Sequence, residues 1–230
     1  QCDWSSDVCS SDLWDTNRTF YFMDTGYFAN YVTVHNSKGA KRWHRIVKNN
    51  LQHLDPVEPR PEDRWIALEK EFPRLKWPGW KKNGRDILIV APSEKPCKFY
   101  NIDLEEWIND TIYTLKQYTD REIVVRQRVK SRSDRILTNT LKEALDDDVH
   151  ALVTYNSNSA TEAILYGYPA FTLAPTHAAS PVSSQDLSQI ETPYYPDKDK
   201  VYAWACHLAY GQYHVEELKN GAAWRMLNEF

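Results

Sequence analysis

The chain has 230 residues, with 28 Lys and Arg against 32 Asp and Glu, a formal net charge of −4 and a pI near 6.0. A hydrophobic share of 42% and a charged share of 26% give a globular balance, and a mean hydropathy of −0.65 without a long apolar run excludes a membrane-spanning helix. The acidic balance argues against a nucleic-acid or anionic-membrane surface, and 9 Trp with 14 Tyr argue against disorder over most of the length.

Residues 3–13 read Asp-Trp-Ser-Ser-Asp-Val-Cys-Ser-Ser-Asp-Leu and have neither a helical nor a strand period. The run resembles translated sequencing-adapter read-through of the kind met in metagenomic reading frames. Residues 1–13 are therefore expected to be disordered and outside the domain, with native sequence lost upstream. Residues 19–23, Thr-Phe-Tyr-Phe-Met, predict a buried strand. Asp24-Thr25-Gly26-Tyr27-Phe28 follows as a turn with a carboxylate at the strand's end. Residues 30–50 are polar and basic. Residues 55–80 hold five prolines with Trp65, Trp77 and Trp80, which predicts an ordered, aromatic-packed connection rather than a free linker.

From residue 81 the pattern is regular. Ile87-Leu88-Ile89-Val90 is a continuous apolar strand. Asp103 and Glu106 predict a capping box opening a helix that Leu104, Trp107, Ile108, Ile112 and Leu115 continue at helical spacing. Ile123-Val124-Val125 predicts a second buried strand, Leu137, Leu141, Ala144 and Leu145 another helix, and Ala151-Leu152-Val153 a third strand. Residues 161–166 form a short helix closed by Gly167 and Pro169. Residues 170–173 are a fourth strand. Residues 201–210 and 215–227 predict helices broken at Gly211. This alternation implies a Rossmann-like parallel sheet with helices on both faces over residues 81–230, preceded by a smaller N-terminal portion over 14–80. In such sheets ligands bind beyond the carboxyl ends of the strands, which selects loops 91–98, 126–135, 155–161 and 174–186.

Loop 155–161, Tyr-Asn-Ser-Asn-Ser-Ala-Thr, then Glu162, places small hydroxyl and amide residues at a helix start, where free N–H groups and the helix dipole favour an anion. Simple helix capping by Ser157 or Ser159 is the alternative. Arg126, Arg128, Lys130, Arg132 and Arg135 carry enough charge to neutralise a diphosphate; a solvated charged loop and a nucleic-acid contact are the other readings. Ser93, Lys95 and Lys98 face the same mouth, without a glycine-rich phosphate motif. The seven histidines show no metal-ligand spacing. Cys2 and Cys9 fall in the adapter-like run or beside it, and Cys97 and Cys206 read as free thiols of a reducing, cytoplasmic setting.

The run Asn156-Ser157-Asn158-Ser159-Ala160-Thr161-Glu162-Ala163, followed by Gly167-Tyr168-Pro169, resembles the Ser/Thr, Glu-Ala, Gly-x-Pro motif of GT-B glycosyltransferases. It is most similar to that of capsule polysaccharide transferases and more distantly to UDP-N-acetylglucosamine 2-epimerase. Val124-Val125-Arg126 with Arg128 stands where those transferases carry a strand and a basic-x-His-Pro element, although His-Pro is lacking here. Residues 22–28 resemble their strand-end Glu-Asp-Gly-Phe element. Residues 20–230 also resemble glycosyltransferase-like proteins of marine bacteriophages. The resemblance implies a nucleotide-sugar donor as substrate, a glycan or other hydroxyl acceptor, and no resident cofactor or metal. It implies Ser157, Ser159 and Thr161 on the diphosphate, Glu162 on the ribose, and Arg126, Arg128, Ser93 and Lys95 around the donor. Asp24 would be the general base. Residues 14–80 are fewer than a whole GT-B N-terminal lobe, so a truncated and inactive enzyme is one expectation. A non-catalytic nucleotide- or carbohydrate-binding protein and a nucleic-acid-associated phage protein are the other classes.

Overall fold

The computed structural model describes residues 19–28, 43–53, 56–127 and 140–229. Expectations for residues 1–13, and the contribution of Leu137 to a helix, lie outside these residues. Among the described residues seven strands form two sheets: β1 (Tyr21–Thr25), β2 (Trp43–Lys48), β3 (Asp86–Val90), β4 (Ile123–Arg126), β5 (Val149–Thr154), β6 (Ala170–Thr172) and β7 (Gln212–His214). The α-helices are α1 (Asp63–Glu71), α2 (Glu94–Tyr100), α3 (Leu104–Leu115), α4 (Leu141–Asp146), α5 (Ser159–Leu165), α6 (Lys198–Tyr210), α7 (Val215–Lys219) and α8 (Ala222–Glu229).

The larger sheet is wholly parallel, in the order β4-β3-β5-β6. Ile87 pairs with Ile123 on one side and Ala151 on the other. Every residue of β3 and β5 is buried, as uninterrupted apolar strands require. The two faces carry separate cores. Ile87, Ile89, Ala151, Val153 and Phe171 pack with Leu115 of α3. Leu88, Val90 and Leu152 pack with Ala160 and Ile164 of α5 and Trp204 of α6. The Rossmann-like α/β expectation therefore holds, with helices on both faces. β4 is less buried than its apolar sequence predicts, with Val124 43% exposed, because an edge strand has only one neighbour.

The smaller sheet is antiparallel, in the order β1-β2-β7. Residues 19–23 are not a buried strand throughout. Tyr21 and Met23 face outward, Met23 57% exposed, since β1 is an edge strand whose side chains alternate between the two faces. The strand also runs further than expected, with Asp24 paired opposite Arg45 inside it, and the turn comes at residues 26–28. The chain after α6 does not pass directly into a helix. Gly211 ends α6, its carbonyl accepts from Ile46 N–H at 3.2 Å, and residues 212–214 become β7. The helical interruption of residues 215–227 falls at Asn220 and at Gly221, whose φ is 77°.

The proline-rich segment is ordered, and it contains α1. Trp65 and Leu68 of that helix are buried. Trp77 Nε1 donates to the Ile164 carbonyl at 3.0 Å and Trp80 Nε1 to that of Pro196 at 2.7 Å. Phe28 meets Trp65 edge-on at 5.1 Å and Trp204 at 6.3 Å, so the turn after β1, α1 and α6 share one core with the parallel sheet, while Ile46 of β2 and Tyr213 of β7 cluster separately with Ala223 of α8. Asp103 caps α3 by accepting from Glu106 N–H at 2.9 Å. Thr140 and Glu143 make a complete capping box at α4.

Gly167 closes α5 in the left-handed region at φ 86°, and its carbonyl accepts from Lys81 N–H at 2.7 Å. A Cβ at this position would lie 2.2 Å from the Gly79 carbonyl oxygen. Gly167→Ala combines a backbone penalty of about 1–2 kcal/mol with that clash, and should cost about 2–3 kcal/mol in denaturant unfolding. A loss below about 0.5 kcal/mol, the scatter of neutral surface changes, would contradict this packing.

Candidate functional site at the carboxyl edge

The strand order makes β3 and β5 neighbours whose following strands lie on opposite sides, which is the switch point where open α/β sheets leave a crevice. Loops 91–93 and 155–158 meet there. Thr154 fixes their relation, since its hydroxyl donates to the Val90 carbonyl at 2.7 Å and accepts from Ser157 N–H at 3.3 Å. Ser157 Oγ accepts from Ser159 N–H at 3.3 Å and donates to Ser159 Oγ at 3.0 Å. Both serines are half-buried. Asn158 precedes α5 and its side-chain amide donates to the Tyr27 carbonyl at 3.1 Å, which draws the turn after β1 onto the loop.

Glu162 lies in the first turn of α5. It shares a crevice with Tyr27, Phe28, Leu75, Leu165 and Tyr166 that is too narrow for a water molecule. Although part of its surface reaches solvent, burial pushes its carboxyl up to about 7, against the opposing pull of Arg74 and Arg126. Arg126 ends β4, and its carbonyl accepts from Ala91 N–H at 3.0 Å. Burial lowers its pKa, and the carboxylates of Glu143 and Glu162 oppose that shift. A strongly raised carboxyl beside cationic groups at a sheet's carboxyl edge has the character of a functional group.

Arg126, Glu162, Ser157 and Ser159 are therefore brought to one edge. Ser93 joins them, half-buried at the start of α2 without a capping hydrogen bond from its side chain. Thr161 differs from expectation: it is fully enclosed, so its hydroxyl does not share the surface of the two serines. Arg128 and the side chain of Lys95 lie outside the description. Asp24 stands on the other sheet with both oxygens engaged. Oδ2 pairs with Arg45 at 3.3 Å and Oδ1 accepts from Thr25 N–H at 2.7 Å. Arg45 is itself buried, donates to the Thr25 carbonyl at 3.1 Å and lies 5.4 Å from the Tyr27 ring centre. In this conformation Asp24 balances that buried cation.

Residues 49–53, which begin inside the polar and basic stretch 30–50 and carry no site motif, also reach the site. Gln52 is buried; its amide donates to the Asn156 carbonyl at 2.5 Å and accepts from Ala178 N–H at 2.9 Å. Asn50 Oδ1 accepts from the Thr176 hydroxyl at 3.2 Å. Arg74 was equally silent in the sequence, because its approach to Glu162 depends on how the α1 segment docks. Among the described residues no group of three or more His, Cys, Asp or Glu could hold a metal ion, no helix is long and apolar enough to cross a membrane, and Cys97 and Cys206 are free thiols.

An acid whose pKa rises on folding stabilises the folded state fully below its unfolded value, here 4.5, and loses that contribution as pH rises to about 7. Glu162→Gln should thus match the parent at pH 4 and exceed its stability at pH 8 by about 1–3 kcal/mol. Denaturant unfolding at both pH values measures this, and a pH-independent difference would contradict the buried setting of Glu162. In comparisons with known proteins the chain matches no protein-family model, no curated protein and no solved structure.

Proposed function

We propose that the chain is the nucleotide-sugar-binding part of a glycosyltransferase, with the donor seated at the carboxyl edge between β3 and β5. The observation that carries this reading is the charge interaction of Glu162 with Arg126 at the carboxyl edge, with the joined Ser157 and Ser159 hydroxyls at the start of the helix that holds Glu162. The serine hydroxyls and nearby amides hold the diphosphate. Arg126 offsets the charge that gathers on the diphosphate as it leaves the sugar. Glu162, when ionised, accepts hydrogen bonds from the hydroxyl pair of the ribose on the side that reaches solvent, outside the narrow crevice. The acceptor's hydroxyl attacks the anomeric carbon, the bond to the diphosphate breaks, and Asp24 takes the hydroxyl proton once it has parted from Arg45.

The commitment of both Asp24 oxygens to Arg45 and Thr25 favours a second reading, in which the fold binds a nucleotide or carbohydrate and transfers nothing. Calorimetry with a panel of nucleoside diphosphates addresses the shared part. One of them should bind, more tightly as pH rises through 7, and Glu162→Gln should weaken it by about 1–3 kcal/mol, the range for hydrogen bonds to a charged group. Absence of binding across the panel, or unchanged affinity in the variant, would remove the reading. Asp24→Asn then separates the two classes. Loss of transfer by about 100- to 10,000-fold with normal binding marks a base, whereas an absence of transfer by the unaltered protein supports binding alone.

A further inference from the structure

Residues 49–53 leave β2 and cross onto the carboxyl edge, where Gln52 and Asn50 anchor them as described above. Three histidines stand along this seam: His53, half-buried, in the strap itself, and the buried His177 in the loop after β6 and His207 in α6. His177 and His207 use Nδ1 as a hydrogen-bond acceptor. The Tyr27 hydroxyl accepts from His53 N–H at 2.9 Å and shares a second hydrogen bond with His53 Nδ1 at 2.8 Å. Ala179 N–H donates to His177 Nδ1 at 2.9 Å, while Nε2 donates to the Ser157 carbonyl at 3.0 Å. Glu58 N–H donates to His207 Nδ1 at 3.1 Å. A proton added to Nδ1 of His177 or His207 would face a backbone N–H donor, and at His53 it would force the Tyr27 hydroxyl to turn.

The surroundings offer little to stabilise a charged ring. His53 lies 6.0 Å from the His207 ring and 5.5 Å from that of Tyr27; Arg45 of β2 and Arg60 also act on it. His207 faces Arg60 and Glu58, and His177 faces Arg45. Asp24 pairs with Arg45 and acts on Tyr27. The backbone at Gly211 abuts His53 so closely that a Cβ there would lie 2.3 Å from Cε1, so only glycine leaves the ring its place on that side.

We propose that His53, His177 and His207 form an acid-released latch, whose protonation lifts residues 49–53 off the carboxyl edge while the turn at 26–28, anchored by Phe28, and the parallel sheet stay folded. Burial already drives His53 down to about 3 and His177 to about 4, from an ordinary 6.5, and lowers His207 as well. The released state takes up protons that the closed state refuses, so closure is complete above 6.5 and is lost progressively below it. Release would free the Asn156 carbonyl and Ala178 N–H that Gln52 now occupies.

Amide hydrogen exchange on the whole chain at pH 7, 6 and 5, corrected for intrinsic rates, tests this. The amides of His53, Glu58, Ala178 and Ala179 report the latch; those of Ile89 and Val153 report the sheet. Below pH 6, latch protection should fall about 100- to 1,000-fold per pH unit, the slope of two to three protons per opening. At pH 5 the latch should open at least about 100-fold more often than the sheet, as a separate cooperative unit. Equal protection of latch and sheet at pH 5, or a latch slope below one proton, would overturn the proposal. His53→Asn, whose Oδ1 takes the acceptor place of Nδ1, should reduce the slope by one proton; an unchanged slope would also overturn it.

Discussion

The packing of Phe28 between Trp65 and Trp204, all three at most 1% exposed, is the constraint on which the remaining architecture rests. It fastens the turn after β1 to α1 and to α6 in one contact. With Phe28 fixed, the carbonyl of Tyr27 is presented to Asn158, and the Tyr27 hydroxyl to His53. The same contact walls the crevice in which Glu162 sits. Edge-on aromatic contacts of this kind add about 0.5–1.5 kcal/mol beyond the area they bury, and the buried area of the three rings is the larger contribution. The turn after β1 is thereby a fixed cover on the core of the parallel sheet.

That cover determines the chemistry available at the edge. In an open crevice, Glu162 would be an ordinary surface carboxylate favoured by the helix dipole. Enclosed by Tyr27, Phe28, Leu75, Leu165 and Tyr166, it has its carboxyl pushed by burial up to about 7 despite two nearby arginines. A fold gains no stability from ionising such a group, and the proposed function assigns it to a ligand that supplies hydrogen-bond donors. Asp24 shows the opposite arrangement. Its partner Arg45 is buried against two aromatic rings, and removing the carboxylate would leave that cation without its charge partner.

The sequence was most legible where a single period spans a whole element. The uninterrupted apolar runs at residues 87–90 and 151–153 could be placed in a parallel sheet because only strands covered on both faces carry them. Gly167 and Pro169 marked the end of α5 for a local steric reason. Elements defined by distant partners were not legible. β7 is three residues long, too short to show a period, and exists because β2 pairs with it. α1 lies among prolines that mask its helical spacing. Exposure on β1 and β4 depended on their being edge strands, which strand order alone reveals. At the candidate site, the strand order placed Ser157, Ser159, Glu162 and Arg126 at the carboxyl edge, but the enclosure of Thr161, the docking of Gln52 and the approach of Arg74 are tertiary facts with no local signature.

The account's central claim is that Glu162 is a carboxyl held near neutrality for a nucleotide's hydroxyl groups. The most direct measurement is carbon NMR of the Glu162 carboxyl through a pH titration, with and without a saturating nucleoside diphosphate. The account predicts a midpoint near 7 in the free protein, moving down into the ordinary carboxylate range, about 4.3, when the nucleotide is bound. A midpoint in that ordinary range without ligand, or one near 7 that saturating nucleotide does not move, would contradict it.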